Sequence, residues 1–373
     1  MRILHTIDSI GIYGAETVLL NLACEQQHRG HEPIILSIGN PGSTEKPLEA
    51  EAVRRGLQCI RHRMRDGLNL PGARLLLEIA GQQRADVVHS HGYKSNILLG
   101  VLPRFMRKQP VVTTLHGWTA KQAFSRLGLY RFLDQRLLSR LDAIVVVNEQ
   151  LKNSPVIKAL DQSKIHAIPN GIKIEPVPKL INPMDDSLAR EILEFRRTNS
   201  ILIGAVGRLS PEKNFAALME ALRQSRTTDV GAVVLGDGPE AGSLRQLISA
   251  QGLSQRVLLG GFATDARKYL PLFDLLVIPS LTEGLPMILL EAMSANLPVI
   301  ATSVGDIPAT LGGLGVLVKP GSVAELASAI SAMTSGLAHY RIKASGGSQR
   351  VLEHYSAATM TDRYESVYRS VLG

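Results

Sequence analysis

The feature that most constrains this chain is a regular alternation of short β-branched runs with helical stretches. Runs at 2–7, 33–38, 86–90, 110–115, 143–147 and 164–168 are separated by helical patterns such as 15–29. Strands that alternate with helices cannot pair as hairpins. They need crossover connections, and so parallel sheets with helices on both faces. A second series follows at 200–206, 230–235, 256–259, 274–278, 298–300 and 315–318, and 357–371 reads as a last helix. Between the series, around 173–200, Lys173-Ile-Glu-Pro-Val-Pro-Lys179 and Asn182-Pro-Met-Asp-Asp186 read as an extended linker. Proline blocks a helix and biases the residue before it to extended geometry. A length of 373 residues suits two domains. The chain is therefore predicted to be α/β, with two Rossmann-like, doubly wound domains at 1–175 and 190–356. They are expected to face each other across a cleft at the carboxyl ends of their strands, where open α/β sheets bind ligands.

Composition narrows the function classes. Hydrophobic residues at 45% and charged residues at 20% fit a globular chain, and aromatics at 4% leave too few rings for a single-strand stacking platform. With no recognition motif either, no nucleic-acid partner is expected. Two cysteines, Cys24 and Cys59, make neither a disulfide framework nor a zinc site, which suggests a reducing compartment. The chain opens directly as a strand and has no run of about 18 apolar residues, so a cytoplasmic location is expected. Charge is uneven. Residues 1–180 carry 24 Lys and Arg against 15 Asp and Glu, +9, whereas the remainder carries 17 against 18, −1. The basic half suggests a polyanionic partner, or a peripheral contact with an anionic membrane at its inner face. A solvated basic surface is the plain alternative.

Three loops carry candidate chemistry. Gly11-Ile-Tyr-Gly14-Ala-Glu16 follows the first strand and enters a helix, where free N–H groups and the helix dipole suit a phosphate. It is not a dinucleotide fingerprint, and alone it reads equally as a plain turn. Gly207-Arg208-Leu-Ser-Pro-Glu-Lys213 follows the first strand of the second series; its two cations could neutralise a diphosphate. Pro279-Ser-Leu-Thr-Glu283-Gly284-Leu285-Pro286 runs into a mostly apolar helix start that contains Glu291. A carboxylate there needs a partner or a cleft, and the pair Glu283/Glu291 suits sugar and ribose hydroxyls. His116-Gly117 ends the strand Val-Val-Thr-Thr-Leu. Pro169-Asn-Gly-Ile172 and Gly236-Asp-Gly-Pro239 read as turns. No Asp-x-Asp stands at a strand end; Asp185-Asp186 falls in the linker.

As an ordered set along nearly the whole chain, these motifs resemble the family 4 retaining glycosyltransferases of the GT-B fold, also described as glycosyl transferases group 1. The resemblance implies that Arg208 and Lys213 hold the diphosphate of a nucleotide-sugar donor, UDP-linked before GDP-linked. It places Glu283 on the transferred sugar, Glu291 on the ribose, the backbone of Gly284, Leu285 and Pro286 around phosphate and sugar, and that of Phe262 by the base. Gly14 would admit the diphosphate from the first domain, His116 would meet the sugar or reacting centre, and the helix 357–373 would pack back on the first domain. Tyr13 stands where the family commonly has a second glycine, which leaves the acceptor side open. The implied activity is hexosyl transfer to a glycan or lipid-linked acceptor in cell-surface polysaccharide synthesis. No cofactor or metal is expected, because cations and helix dipoles can stabilise the leaving diphosphate. The alternatives are a nucleotide-sugar epimerase of the same fold and an inactive sugar-nucleotide-binding partner subunit.

Overall fold

The structure is a computed structural model that describes residues 1–373 apart from 10, 66–68, 117–125, 175–184, 226 and 228. Gly117 and most of the proline-rich stretch lie outside the described residues. The chain divides into two compact units, Met1–Lys173 with Ser356–Gly373, and Ile174–Tyr355.

Among the described residues, the first unit holds one parallel sheet of seven strands: β1 (Arg2–Ile7), β2 (Glu32–Gly39), β3 (Gln58–Arg63), β4 (Val87–His91), β5 (Val111–Leu115), β6 (Ala143–Val146) and β7 (Ile165–Ala167). Their spatial order is β3-β2-β1-β4-β5-β6-β7. The second unit holds six: β8 (Ile201–Val206), β9 (Val230–Leu235), β10 (Val257–Gly261), β11 (Leu275–Ile278), β12 (Val299–Thr302) and β13 (Val316–Val318), in the order β10-β9-β8-β11-β12-β13. The central strands are buried along nearly their whole length, with apolar side chains feeding a core in each unit and, in the first unit, polar ones such as His5, His89, His91 and Thr114 among them. Leu4, Leu36, Val88 and Ile144 lie in one core, and Ile203, Val234, Leu275 and Ile300 in the other.

Two elements correct the sequence reading. Gln58-Cys-Ile-Arg-His-Arg63 was not expected to be a strand, yet it forms the edge strand β3. Edge position explains its polarity: Arg63 reaches the fully buried Glu49 carboxylate at 2.9 Å, and the Ser37 hydroxyl donates to the same carboxylate at 2.6 Å. The stretch read as linker contains the helix Ser187–Arg196. Asp186 is its N-cap, accepting from the Ala189 N–H at 2.9 Å and from Lys268 at 2.6 Å. The Lys268 bond holds its carboxyl down at about 2.

The final helix, Ala357–Leu372, joins the first unit. The Ala357 N–H donates to the Ile172 carbonyl at 2.7 Å. A Cβ on Gly171 would stand 2.6 Å from the Ser356 carbonyl oxygen, so the Asn170-Gly171 turn admits only glycine at this crossing. Tyr364 and Tyr368 of the helix are buried in the first unit.

Candidate functional site

Each sheet has one point where the strand order reverses, between β1 and β4 in the first unit and between β8 and β11 in the second. Neighbouring connections leave such a point in opposite directions, and the carboxyl ends of the two strands flank an open crevice. The candidate loops follow these strands: Gly11–Gly14 after β1, Gly207–Asn214 after β8 and Pro279–Pro286 after β11.

In the second unit the loops brace one another. Gly207 donates its N–H to Leu235 at 3.0 Å, and Gly236 donates to Gly261 at 2.7 Å. A Cβ on Gly236 would meet the Gly207 carbonyl oxygen at 1.8 Å, and one on Gly238 the Leu209 carbonyl oxygen at 2.4 Å. The Gly236-Asp-Gly turn is thus glycine-rich because it crosses the Gly207-Arg-Leu turn backbone to backbone. Phe262 follows Gly261 and is 69% exposed, so its ring is not a packing residue. Arg208 is exposed and has no side-chain hydrogen bond among the described residues. Lys213 closes a short 3-10 turn, Pro211–Lys213, and Asn214 turns the chain into the next helix from a left-handed conformation (φ 54°).

Lys213 and Glu283, expected to hold separate parts of a donor, are joined. The Lys213 Nζ lies 2.5 Å from a Glu283 oxygen, which also accepts from the Ser280 hydroxyl at 2.7 Å. The loop behind them is held by β12. The Thr302 hydroxyl donates to the Ser280 carbonyl at 2.6 Å, and the Asp306 N–H to the Gly284 carbonyl at 3.1 Å. Gly305, with φ +54°, comes so close that a Cβ would stand 2.2 Å from the Glu283 carbonyl oxygen. Gly305→Ala is therefore expected to push the Glu283-Gly284 backbone aside, with left-handed strain of about 1–2 kcal/mol added. Donor turnover should fall at least tenfold, on the order expected for a misplaced contact, together with a lower melting temperature. A variant with wild-type turnover would show that this loop does no positioning.

Leu285 and Pro286 are buried, so a ligand could meet only their backbone. Pro286 is the N-cap of the helix Met287–Ser294. Glu291 lies on that helix, and among the described residues its carboxylate has no hydrogen-bond partner. Burial pushes its carboxyl up to about 7; Arg267 opposes this and Asp265 adds to it. A buried carboxylate without a hydrogen bond costs stability, which marks it as a candidate for binding a ligand.

In the first unit, Gly14 opens the helix Gly14–His28. Nothing lies within 4 Å of where its Cβ would be, so the fold itself does not require glycine there. The Tyr13 N–H donates to the Glu16 carboxylate at 3.0 Å, and the Tyr13 side chain is 55% exposed. His116 follows β5. Its Nε2 lies 3.2 Å from His91 Nδ1, and its own Nδ1 is buried with no partner among the described residues. Burial pushes its imidazole down to about 4, so it is neutral at neutral pH.

The sequence reading missed what surrounds His116. Strand register pairs His5 with His89 and His91 with Thr114. Because strand side chains alternate, His5, His89, His91 and Thr114 share one sheet face. His5 Nδ1 lies 3.1 Å from His91 Nε2, and His5 Nε2 lies 2.8 Å from Gln26 Oε1. His89 contacts the Tyr368 hydroxyl at 2.7 Å and the Thr114 hydroxyl at 2.8 Å; Thr114 also meets Tyr364 at 2.9 Å. The three strand histidines could offer a metal one nitrogen each, all within 4.8 Å. All six of their ring nitrogens, however, are already engaged in this network. The readable signal was His89-Ser-His91 on a strand, with Tyr364 and Tyr368 one helical turn apart.

Solved structures of similar shape span the whole chain. HepE of Anabaena, solved with UDP and with UDP-glucose, superimposes with a TM-score of 0.84 over 99% of this chain and 100% of that one, at 22% identity. Sucrose-phosphate synthase of Thermosynechococcus elongatus gives 0.78 over 99% and 98%, at 19% identity. The fold is that of the GT-B glycosyltransferases. The family models "Glycosyltransferase Family 4" and "Glycosyl transferases group 1" match residues 12–176 and 200–335, one in each unit. Among curated relatives, the Escherichia coli UDP-Gal:alpha-D-GlcNAc-diphosphoundecaprenol alpha-1,3-galactosyltransferase is 32% identical over 61% of this chain and 60% of its own length. The Streptomyces fradiae 2-deoxystreptamine N-acetyl-D-glucosaminyltransferase is 27% identical over 98% and 92%. The chain belongs to the family 4 glycosyltransferases.

Proposed function

We propose that this enzyme transfers a hexose, with retention of configuration, from a nucleotide-sugar donor to a glycan or lipid-linked acceptor in cell-surface polysaccharide synthesis. A UDP-sugar is favoured by the UDP and UDP-glucose complexes of HepE and by the UDP-Gal in the Escherichia coli relative's name; a GDP-sugar is second. That relative's diphosphoundecaprenol substrate supports a lipid-linked acceptor. The observation that carries the reading is the set at the switch point of the second unit: an exposed Arg208, the Lys213–Glu283 pair, and a buried Glu291 carboxylate, with neither the Arg208 nor the Glu291 side chain hydrogen-bonded among the described residues.

In this reading Arg208 and Lys213 take the diphosphate, and their charge opposes the negative charge that builds as the nucleoside diphosphate leaves. Glu283 accepts from hydroxyls of the transferred sugar and Glu291 from the ribose. The backbone of Gly284, Leu285 and Pro286 lines phosphate and sugar, and that of Phe262 lies by the base. Gly14 leaves room for a phosphate at a helix N-terminus, and His116 meets the sugar. The test is a hydrolysis screen across UDP- and GDP-sugars, then the active donor with candidate acceptors. Release of nucleotide from none of them would end the proposal.

The cations at hand also predict independence from a metal. Turnover should survive excess EDTA, and activity restored only by magnesium or manganese would contradict this. The expected setting is the cytoplasm, with peripheral contact at the inner face of the membrane. Among the described residues no helix is long and apolar enough to cross a membrane. The +9 charge of residues 1–180 favours adsorption instead. Flotation with anionic vesicles should show binding that weakens with salt; equal binding to neutral vesicles, or none, would refute the contact.

A further inference from the structure

The histidine network has a direction, and the direction ends at His116. Each contact between two neutral imidazoles carries one proton, so fixing one ring fixes the next. Gln26 starts the chain. Its Oε1, which can only accept, faces His5 Nε2 at 2.8 Å, while its Nε2 faces the Tyr368 hydroxyl at 3.3 Å. His5 therefore carries its proton on Nε2 and accepts on Nδ1. His91, 3.1 Å away, must then donate from Nε2 and accept on Nδ1. His116 in turn must donate from Nε2 across 3.2 Å, which leaves a lone pair on Nδ1. That Nδ1 is the buried atom with no partner among the described residues.

We propose that Tyr368, Gln26, His5 and His91 are positioning residues that lock His116 in its Nε2–H tautomer, making Nδ1 a neutral acceptor for a hydroxyl of the transferred sugar. The use by a sugar rests on the function proposed above; the lock itself does not. Burial keeps every ring neutral, with His5 and His116 near 4 and His89 and His91 well below the usual range. The rest of the network agrees. Tyr368 accepts from Gln26 and donates to His89 Nδ1, and His89 Nε2–H then donates to Thr114. Through Tyr368 and Gln26 the last helix is thereby joined to the end of β5. Turning the Gln26 amide over would reverse every proton and leave His116 with a donor at Nδ1, so the relay has two readable states.

The experiment is long-range ¹H–¹⁵N correlation on full-length protein with ¹⁵N-labelled histidine, with no donor present. The His116 signals are assigned by their loss in His116→Gln. The wild type should show protonated Nε2 and bare Nδ1. Gln26→Met and Tyr368→Phe, which keep the side-chain size, should give a tautomer mixture at His116. With the donor found in the hydrolysis screen, each should lower kcat about tenfold, the size of one lost hydrogen bond, with KM near wild type. A proton on Nδ1 in the wild type would overturn the proposal without any variant. So would an unchanged His116 tautomer in folded Gln26→Met. If the tautomer behaves as stated but His116→Ala turns over normally, the sugar contact is what fails.

Discussion

Glu291→Gln is expected to make the unliganded protein more stable at pH 8 and a poorer binder of its donor. The native carboxyl holds its proton up to about 7, against 4.5 ordinarily, because burial disfavours the anion. The unfolded chain releases that proton near its ordinary value. Between the two the native state binds more protons, so stability falls as pH rises and stays lost above about 7. The ceiling on that loss is about 3 kcal/mol, and a partly solvated group realises less. The glutamine variant lacks the penalty. It should melt several degrees higher than wild type at pH 8 and close to it at pH 4.5. Binding runs the other way: an anion that accepts from ribose hydroxyls is worth about 1.5–3 kcal/mol, so KM for donor should rise roughly ten- to a hundredfold. Wild-type KM should also fall as pH rises through 7, and the variant's should not. A variant that melts lower at pH 8 with unchanged KM would make Glu291 a structural residue.

Loss of the Lys213–Glu283 pair is expected to act on turnover. In the proposed site Lys213→Ala would remove a cation from the leaving diphosphate, a charge-assisted contact worth about 1.5–3 kcal/mol, and kcat should fall roughly ten- to a hundredfold. Glu283→Gln keeps the shape and removes the charge that Lys213 meets at 2.5 Å. The hydrogen bonds proposed for it to the sugar should matter more in the transition state than in the ground state, so kcat should fall with KM less changed. The 2.5 Å contact adds a constraint that sequence alone could not supply: the two effects are not additive. The double variant should lose less than the product of the single losses, since each single change leaves the other charge unpaired. Strict additivity in steady-state kinetics, with melts as the folding control, would contradict the coupling.

Both sheets were legible because parallel strands buried on two faces announce themselves as apolar runs. What was lost at β3 was lost to its edge position, where Arg61 and Arg63 serve Glu45 and Glu49 instead of a core. The helix Ser187–Arg196 was masked by the prolines before it, although Asp186-Ser187 is an ordinary cap signal. The loops at the strand ends were legible as motifs. Their mutual bracing was not, because Gly236 meets Gly207 and Gly305 meets Glu283 through backbone contacts that leave only a glycine in the sequence. The histidine network went unread for a related reason. It joins His5, His89 and His91 through sheet register, and register appears only once β1, β4 and β5 are known to be neighbours.

The central claim is that the cations at the switch point of the second unit bind a nucleoside diphosphate. Calorimetric titration of UDP into wild type and into Arg208→Ala/Lys213→Ala tests it without knowledge of the sugar or acceptor. Wild type should bind one UDP per chain, and the double variant, melting normally, should bind at least about a hundredfold more weakly, as expected for two lost charge-assisted contacts. Equal affinity in the two proteins, or no binding of either UDP or GDP to wild type, would contradict the account.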